Sequence, residues 1–344
     1  MQLIALHATT PSHMIPAESM VCHDVRNPLQ RSEVLVRKGS FIHAAEVEAL
    51  LQRGVSELHL AVPASDDVGE DAAAARLATA VAGDGIGVGQ AHFGQVTLTS
   101  RVRGLLRVRA DLLEQVNRQS GALVMTGLSE CAADVGTPVG VVKCAPLFME
   151  ASVLEAVEQL RVSAGAVLEV QAFVSQRVAF VAPQERLRGN AFERATGSLA
   201  QALEWYGSSI DTVLRTQAST ESIAAAYRQA LSDGAELILA AGAAATDPLD
   251  AMFDGLRAAG GEVDQIGIPA EPGTACWFGR IDGRPVLGLA SCELFGRPGA
   301  LDLLLPALLT GSPLDAALVR RLALGGLLIG GPSRIGPYHV AEEA

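Results

Sequence analysis

The sequence predicts an α/β protein, with a mostly parallel sheet covered by helices on both faces and a smaller α+β domain before it. Apolar runs such as the one at 236–240 are typical of strands that are buried on both faces. These runs alternate with helical patterns of about 10–15 residues, as in parallel sheets. Glycines end several helical patterns, as Gly54 and Gly234 do. At 344 residues, the chain is long enough for two domains that each bury a core.

The first 172 residues combine short strands and helices without a regular rhythm, which predicts an α+β region. The clearest unit is strand, helix, strand over 34–36, 44–53 and 58–62, in which Val47 and Leu50 share one helix face. Further helices are predicted at 69–81, 111–119 and 152–164, and a buried strand at 139–144.

Residues 173–312 alternate strands and helices regularly, and we expect them to form the main α/β domain. Helices are predicted at 198–205, from Ser219 or Thr220 to Gly234, at 249–259 and at 300–309. Extended segments are predicted at 167–174, 177–182, 210–214, 236–240, 263–268, 276–281 and 286–289. Parallel sheets bind ligands at the carboxyl ends of their strands, so the loops 241–250 and 290–299 are the expected site. Residues 313–344 are expected to be a C-terminal extension.

Composition excludes several classes of partner. Lys and Arg number 26 against 38 Asp and Glu, and the net charge of −12 excludes nucleic acid as an expected partner. The five cysteines are scattered without a C-x-x-C pair, which predicts neither a zinc site nor a disulfide framework and suits a reducing cytoplasm. We expect no membrane partner, because no apolar run approaches the length of about 20 residues that a spanning helix needs.

The first loop follows a buried strand and precedes a helix. Its small residues are Gly242, Ala243, Ala244, Ala245 and Thr246. Such side chains let backbone N–H groups approach a ligand closely, and a helix N-terminus favours a phosphate group. Asp247 and Asp250 stand where a carboxylate holds a divalent cation or caps the helix, and capping is the commoner role. Both interpretations stay open.

The second loop carries a hydroxyl, a thiol, an acid and a base. These residues are Ser291, Cys292, Glu293 and Arg297. A nucleophilic role for Cys292 is the weaker hypothesis, because no histidine lies nearby in sequence and a small buried thiol is commoner. The turn at Glu271 and Gly273 places another acid near this loop or forms an ordinary hairpin. No dinucleotide-binding, P-loop, hydrolase or zinc-protease motif occurs in the sequence.

Three segments in series resemble the molybdopterin-binding domain that molybdopterin adenylyltransferase and molybdopterin molybdotransferase share. They are 236–250, 268–273 and 283–289. The family has a strand, a glycine loop with Asp at the helix start, a Pro-Gly segment, and a second strand before another glycine-rich loop. Upstream segments are similar to stand-alone molybdopterin-binding proteins, namely 37–39, 45–47, 54–55, 70–78, 94–98, 104–106 and 139–146. The resemblance covers roughly residues 30–335.

The resemblance implies a three-layer molybdopterin-binding-like domain whose ligand is molybdopterin, a pterin dithiolene, or its adenylylated form. It implies catalytic roles for Asp250 and Asp247, with Asp250 holding Mg²⁺. The residues that it assigns to cofactor binding are Gly242, Ala243, Ala244, Ala245, Thr246, Glu271, Gly273, Ser291, Cys292 and Arg297. It also implies a homo-oligomer, a molybdoenzyme as partner, and a role for Lys143 if the domains close over the crevice.

The two loops depart from the family pattern, and the departures leave two hypotheses. Gly242 is followed by three alanines where the family has a second glycine and polar groups, and Ala290-Ser291 replaces its Pro-Gly. Fewer donors face an anionic phosphate as a result. One hypothesis is a molybdopterin-binding protein of cofactor biosynthesis or delivery, with Mg²⁺-dependent molybdate insertion if it is a transferase. The other is a non-catalytic scaffold or regulator of molybdoenzyme maturation.

Overall fold

The computed structural model describes residues 1–7, 9–11, 14–242, 245–311, 316–329 and 338. It divides into two compact units. The first contains Met1–Arg101, Val108–Gly127 and Gly136–Glu169, and the second contains Val102–Arg107, Leu128–Val135 and Val170–Ala344. Two short segments of the predicted N-terminal region, at 102–107 and 128–135, therefore belong to the second unit. The C-terminal extension predicted from 313 lies largely outside the described residues.

The described elements are as follows. The strands are β1 Gln2–His7, β2 Glu18–Val21, β3 Val25–Arg26, β4 Val34–Val36, β5 Phe41–His43, β6 Glu57–Val62, β7 Asp67–Gly69, β8 Ile86–Val88, β9 Gln95–Ser100, β10 Gly104–Val108, β11 Ala122–Thr126, β12 Cys131–Ala133, β13 Pro138–Cys144, β14 Phe148–Glu150, β15 Leu168–Ala172, β16 Arg177–Pro183, β17 Ser209–Thr216, β18 Leu237–Ala241, β19 Glu262–Ile266, β20 Trp277–Ile281 and β21 Arg284–Leu289. The helices are α1 Ala44–Gln52, α2 Glu70–Val81, α3 Ala110–Asn117, α4 Ala151–Ala164, α5 Ala191–Trp205, α6 Thr220–Ser232, α7 Ala251–Ala258, α8 Ser291–Leu294, α9 Ala300–Leu308 and α10 Ala316–Leu322.

The first unit is built from small antiparallel sheets and helices, as an α+β region. One four-stranded sheet has the order β1-β6-β2-β5, and a second has the order β11-β13-β9-β8. Helix α1 lies on the first sheet, because Val47 and Leu50 share a core with Leu58 and Leu60 of β6. The strand-helix-strand pattern predicted for 34–62 therefore exists as β4, α1 and β6.

The second unit contains a six-stranded sheet of order β17-β16-β18-β21-β20-β19. Strands β17, β16, β18 and β21 are parallel, while β20 and β19 are antiparallel to their neighbours. The turn between β20 and β21 explains the reversal, because Asp282 and Gly283 have φ of 48° and 73° and form a two-residue hairpin. The mixed α/β class predicted from the sequence is confirmed.

Buried strands of this sheet send alternate side chains to two separate cores. In β18, Leu237, Leu239 and Ala241 face one core, and Ile238 and Ala240 face the other. The first core also contains residues of α5 and α9, and the second contains residues of α6 and α7. Helices thus cover both faces of the sheet, as continuous apolar strands predict.

Helix α5 begins earlier than the sequence predicts, at Ala191 instead of residue 198. Its buried face consists of Ala195, Leu199, Ala202 and Leu203 and continues across Gly197. A glycine inside the helix weakens the local signal, and burial of this face against the sheet overrides it. Within the part of the chain that the structure describes, no helix is long and apolar enough to cross a membrane.

Candidate functional site

The two loops predicted to bind a ligand begin side by side at the carboxyl edge of the six-stranded sheet. Strands β18 and β21 are parallel neighbours, and Ala241 is paired with Leu289 at their ends. The hydrogen bonding continues one residue further, where Gly242 N donates to Leu289 O at 3.3 Å. The predicted convergence of these loops at one edge is therefore observed in the second unit.

The segment after β19 joins the same edge. Ala245 N in the first loop donates to Ala275 O at 3.0 Å, and Trp277 Nε1 donates to Gly242 O at 3.2 Å. Gly273 lies against the second loop, since a Cβ placed there would be 2.9 Å from Glu293 Oε1. The three segments that resemble the molybdopterin-binding domain thus meet at one place.

Asp250 caps helix α7 and is buried at 5% exposure. Its Oδ1 accepts a hydrogen bond from Met252 N at 2.9 Å, and its Oδ2 accepts one from the guanidinium of Arg186. Asp247 is exposed, and its Oδ1 accepts from Leu249 N at 3.2 Å, which closes a local turn. In this structure Asp250 therefore acts as the N-cap of α7.

A metal does not fit Asp250 in this arrangement, because Arg186 already supplies the positive charge that a cation would bring. Among the residues that the structure describes, no group of three or more His, Cys, Asp and Glu is placed to hold a metal ion. The engagement of both Asp250 oxygens therefore leaves no free carboxylate oxygen on Asp250 for Mg²⁺.

Sequence reasoning did not identify Arg186, which lies in the loop between β16 and α5. Its side chain extends over Gly242, where φ is +109° and an added Cβ would lie 3.4 Å from Arg186 Nε. The sequence feature that could have identified Arg186 is its position just after the carboxyl end of a buried strand. Only the neighbouring relation of β16 to β18, which is long-range in sequence, places it over the first loop.

Glu293, the one acid of the second loop, is buried at 2% exposure. Its Oε1 accepts from Ala300 N at 3.0 Å at the start of α9, whereas its Oε2 is buried without a hydrogen-bond partner among the described residues. Burial, followed by the nearby charge of Glu293, raises the pKa of the Cys276 thiol well above its usual range. A buried acceptor oxygen without a donor is costly in a folded protein.

Three further residues predicted to bind the cofactor make local backbone contacts. Ser291 begins the short helix α8, and Cys292 is half-buried and accepts at its backbone O from Arg297 N at 3.0 Å. Glu271 is exposed, and its backbone pairs with Gly326 and Leu328.

Other predicted residues are separate from these contacts. No hydrogen bond or ion pair among the described residues joins Glu271 to Asp250. Thr246 and Arg297 are exposed, Ala243 and Ala244 lie outside the described residues, and Lys143 lies in β13 of the first unit.

Thiol alkylation tests the burial of the cysteines. Burial raises the pKa of Cys144 to about 12, so its thiolate fraction at pH 8 is about 10⁻⁴. In the folded protein at pH 8, we expect iodoacetamide to modify half-buried Cys292 while Cys144 and Cys276 stay unmodified, as mass spectrometry would report. All five cysteines should react after denaturation. Modification of Cys144 as fast as that of Cys292 would contradict the structure.

Comparisons with known proteins give limited similarity. No family model matches the chain, and no curated protein is similar to it in sequence. The solved structures that it resembles include a molybdenum cofactor biosynthesis protein B, at 14% identity over 44% of this chain and 99% of that chain, with a TM-score of 0.31. MoaB of Thermus thermophilus, a molybdopterin biosynthesis enzyme, is 18% identical over 40% of this chain and 98% of that chain, with a TM-score of 0.30.

CinA of Thermoplasma acidophilum, described as a protein of unknown function, is 15% identical over 35% of this chain and 90% of that chain, with a TM-score of 0.30. Each of these three structures is similar to less than half of this chain.

Proposed function

We propose that the second unit binds molybdopterin, or its adenylylated form, at the carboxyl edge of the sheet and serves molybdenum cofactor biosynthesis or delivery as a binding protein. The observation that carries the proposal is the convergence of the three family-like segments. They are distant in sequence, yet Gly242 contacts Leu289, Ala245 contacts Ala275, and Gly273 lies against Glu293. Two of these contacts are backbone hydrogen bonds, and Ala275 and Glu293 lie within four residues of the family-like segments, which supports one connected site.

The phosphate end of such a ligand has cationic partners on the chain. Arg186 is about half exposed, at 45%, and lies over Gly242. Arg297 is exposed and makes no side-chain hydrogen bond or ion pair with a described residue. A guanidinium binds phosphate oxygens through two parallel N–H bonds, which suits both side chains to this role. When bound, the pterin supplies the dithiolene sulfurs that carry molybdenum, and this chain supplies binding.

The pterin end offers N–H donors, and one carboxylate oxygen of the site has only a weak thiol donor, that of Cys276, near it. Glu293 Oε2 is buried and unpaired among the described residues, next to the Pro-Gly turn that contains Gly273. An amide or amino N–H of the ring would supply the hydrogen bond that this oxygen lacks. The thiol of Cys276, which burial keeps protonated, lies close to the Glu293 carboxylate and is a weaker donor to it than a ring N–H would be.

Binding without a metal is the form of the proposal that the Asp250 geometry favours. Both carboxylate oxygens of Asp250 are engaged, by Met252 N and by Arg186, so the proposed binding assigns no role to Mg²⁺. A transferase that inserts molybdate with Mg²⁺ and a scaffold without a ligand are the alternatives that the experiment separates.

Isothermal titration of the intact protein with molybdopterin and with its adenylylated form, each with and without Mg²⁺, tests the proposal. We expect about one ligand per chain and the same affinity in both buffers. Arg186→Ala should weaken binding about tenfold, because one charge-assisted contact to phosphate is lost. Arg257→Ala, an exposed arginine in the last turn of α7, is the matched control and should bind normally.

Asp250→Asn separates the roles of this carboxyl group. The amide oxygen still caps α7, while removal of the charge frees Arg186, so we expect binding to be retained or strengthened. Loss of a Mg²⁺-dependent affinity in this variant, with molybdate-dependent turnover of the intact protein, would instead identify a transferase. No binding of either ligand to the intact protein would leave the scaffold hypothesis.

A further inference from the structure

A row of arginines and phenylalanines lies at the carboxyl edge of the six-stranded sheet and has no role in the proposed pterin site apart from Arg297. This arginine–phenylalanine row consists of Arg215, Phe192, Arg194, Phe295 and Arg297. The guanidinium carbon of Arg215 lies 4.4 Å from the centre of the Phe192 ring, and that of Arg194 lies 5.3 Å from the centre of the Phe295 ring. Each of these two arginines thus stacks over an aromatic ring.

The topology orders the row along one edge. Arg215 is the last residue but one of β17, α5 follows the carboxyl end of β16, and Phe295 and Arg297 follow β21. These strands are parallel in the order β17-β16-β18-β21, so their carboxyl ends share one edge. Three interstrand spacings of ~4.8 Å give the row a length of about 14 Å.

The positive charge of the row is not neutralised within the described part of the chain. Arg194, Arg215 and Arg297 are exposed, and none forms an ion pair with a described residue. Glu193 precedes Arg194 in the sequence and is exposed, and Glu185 accepts from Ala218 N, three residues after Arg215, at 3.1 Å. In a chain of net charge −12, three unpaired arginines on one edge are a local exception.

The chemistry of the row selects carboxylates that are spread out in space. Stacking covers one face of a guanidinium and leaves its N–H edge free, and that edge matches a carboxylate or phosphate bidentately. A single phosphate or pyrophosphate is much shorter than about 14 Å. Alternate residues of an extended chain are ~6.6 Å apart, so acids at three alternate positions span ~13 Å.

We propose that the arginine–phenylalanine row docks an extended acidic segment of a partner protein, with carboxylates at alternate positions. Arginine and aromatic side chains together are also the residues enriched at protein interfaces, where they dominate binding energy. The proposal goes beyond the proposed function and does not depend on it, because docking of the segment requires no pterin.

The test uses the full chain and a fluorescent peptide in which three glutamates alternate with alanines. Fluorescence anisotropy should report binding that weakens as salt is raised and that a peptide with glutamine in place of glutamate lacks. Arg194→Gln with Arg215→Gln should reduce the affinity at least about tenfold. Arg194→Lys with Arg215→Lys keeps the charge but loses the planar guanidinium that binds a carboxylate through two N–H bonds. We therefore expect an intermediate affinity.

The matched control combines Arg177→Gln with Arg257→Gln. Arg177 begins β16, and Arg257 lies in the last turn of α7, so both are at the opposite, amino edge of the sheet, and their replacement removes the same charge. Unchanged peptide affinity is expected for this control, and thermal unfolding verifies that every variant is folded.

Three results would overturn the proposal. The first is failure of the intact protein to bind the glutamate peptide, and the second is an equal loss of peptide affinity in the control variant. The third is that inorganic pyrophosphate binds more tightly than the peptide and that Arg194→Gln with Arg215→Gln abolishes this pyrophosphate binding. The last result would identify a site for a small anion. Titration with pterin is a separate measurement, so failure here leaves the proposed function untouched.

Discussion

Replacing Gly288 with alanine is expected to destabilise the second unit by about 3 kcal/mol, the upper range for overpacking a core. Gly288 is paired with Trp277 across β21 and β20, and a Cβ there would lie 1.9 Å from Trp277 Nε1. Trp277 has little room to move, because it is fully buried and its ring centre lies 5.1 Å from that of Phe253. The substitution therefore forces the indole out of its place.

The expected fall in the midpoint of thermal unfolding is about 6–12 °C, which calorimetry or circular dichroism would measure. Displacement of the indole also breaks the hydrogen bond from Trp277 Nε1 to Gly242 O, so the first loop should loosen and ligand binding should weaken. Gly197→Ala is the control: no atom lies within 4 Å of its Cβ position in α5, and a gain of about 0.5–1 kcal/mol is expected. If the Gly288→Ala protein unfolds at the same temperature as the unmodified chain, the close packing of Trp277 against Gly288 is contradicted.

Removing the Glu293 side chain is expected to cost about 3 kcal/mol of stability. Glu293→Ala leaves Ala300 N without its acceptor at the start of α9 and opens a cavity beside Cys276. Denaturant unfolding should show the loss as a lower midpoint concentration with an unchanged slope.

Glu293→Gln distinguishes the structural role of this residue from a role in ligand binding. The amide oxygen keeps the bond to Ala300 N, and no charge has to be buried, so stability should be equal to or above that of the unmodified protein. If Glu293 Oε2 accepts an N–H from the pterin, the same variant should bind molybdopterin about tenfold more weakly, because a donor replaces the acceptor. Normal pterin binding by Glu293→Gln would remove Glu293 from the site while leaving the cap intact.

Local patterns in the sequence are enough to predict most of the elements that form the second unit. The strand predicted at 236–240 is β18 at Leu237–Ala241, and the helix predicted at 300–309 is α9 at Ala300–Leu308. Strand β18 is a continuous apolar run and α9 is apolar except at Asp302, which local sequence reports directly. The predicted start of α5 is too late, because Gly197 interrupts a helical signal that burial of Leu199 and Leu203 restores.

Some features of the candidate site can likewise be predicted from local sequence, and others depend on contacts between distant segments. The loops after β18 and β21, and the position of Asp250 at a helix start, follow from local order and from the resemblance to a known domain. Two features do not: the ion pair of Arg186 with Asp250 and the burial of Glu293 against Gly273. Each joins residues that are distant in sequence through the strand order, which the apolar pattern of single strands does not encode.

Strand β19, one of the two outermost strands of the six-stranded sheet, carries a consequence for how molecules of this protein meet. An open strand edge is a template for a strand of another molecule. Arg280 of β20 binds Glu262 Oε2 at 2.7 Å and Asp264 Oδ1 at 2.6 Å, so two acids are held on this edge strand. Two carboxylates and one guanidinium leave one net negative charge here, so two copies that approached each other through β19 would repel, which opposes sheet extension at this edge. Ordered association of copies of the chain is therefore expected through surfaces other than the β19 edge.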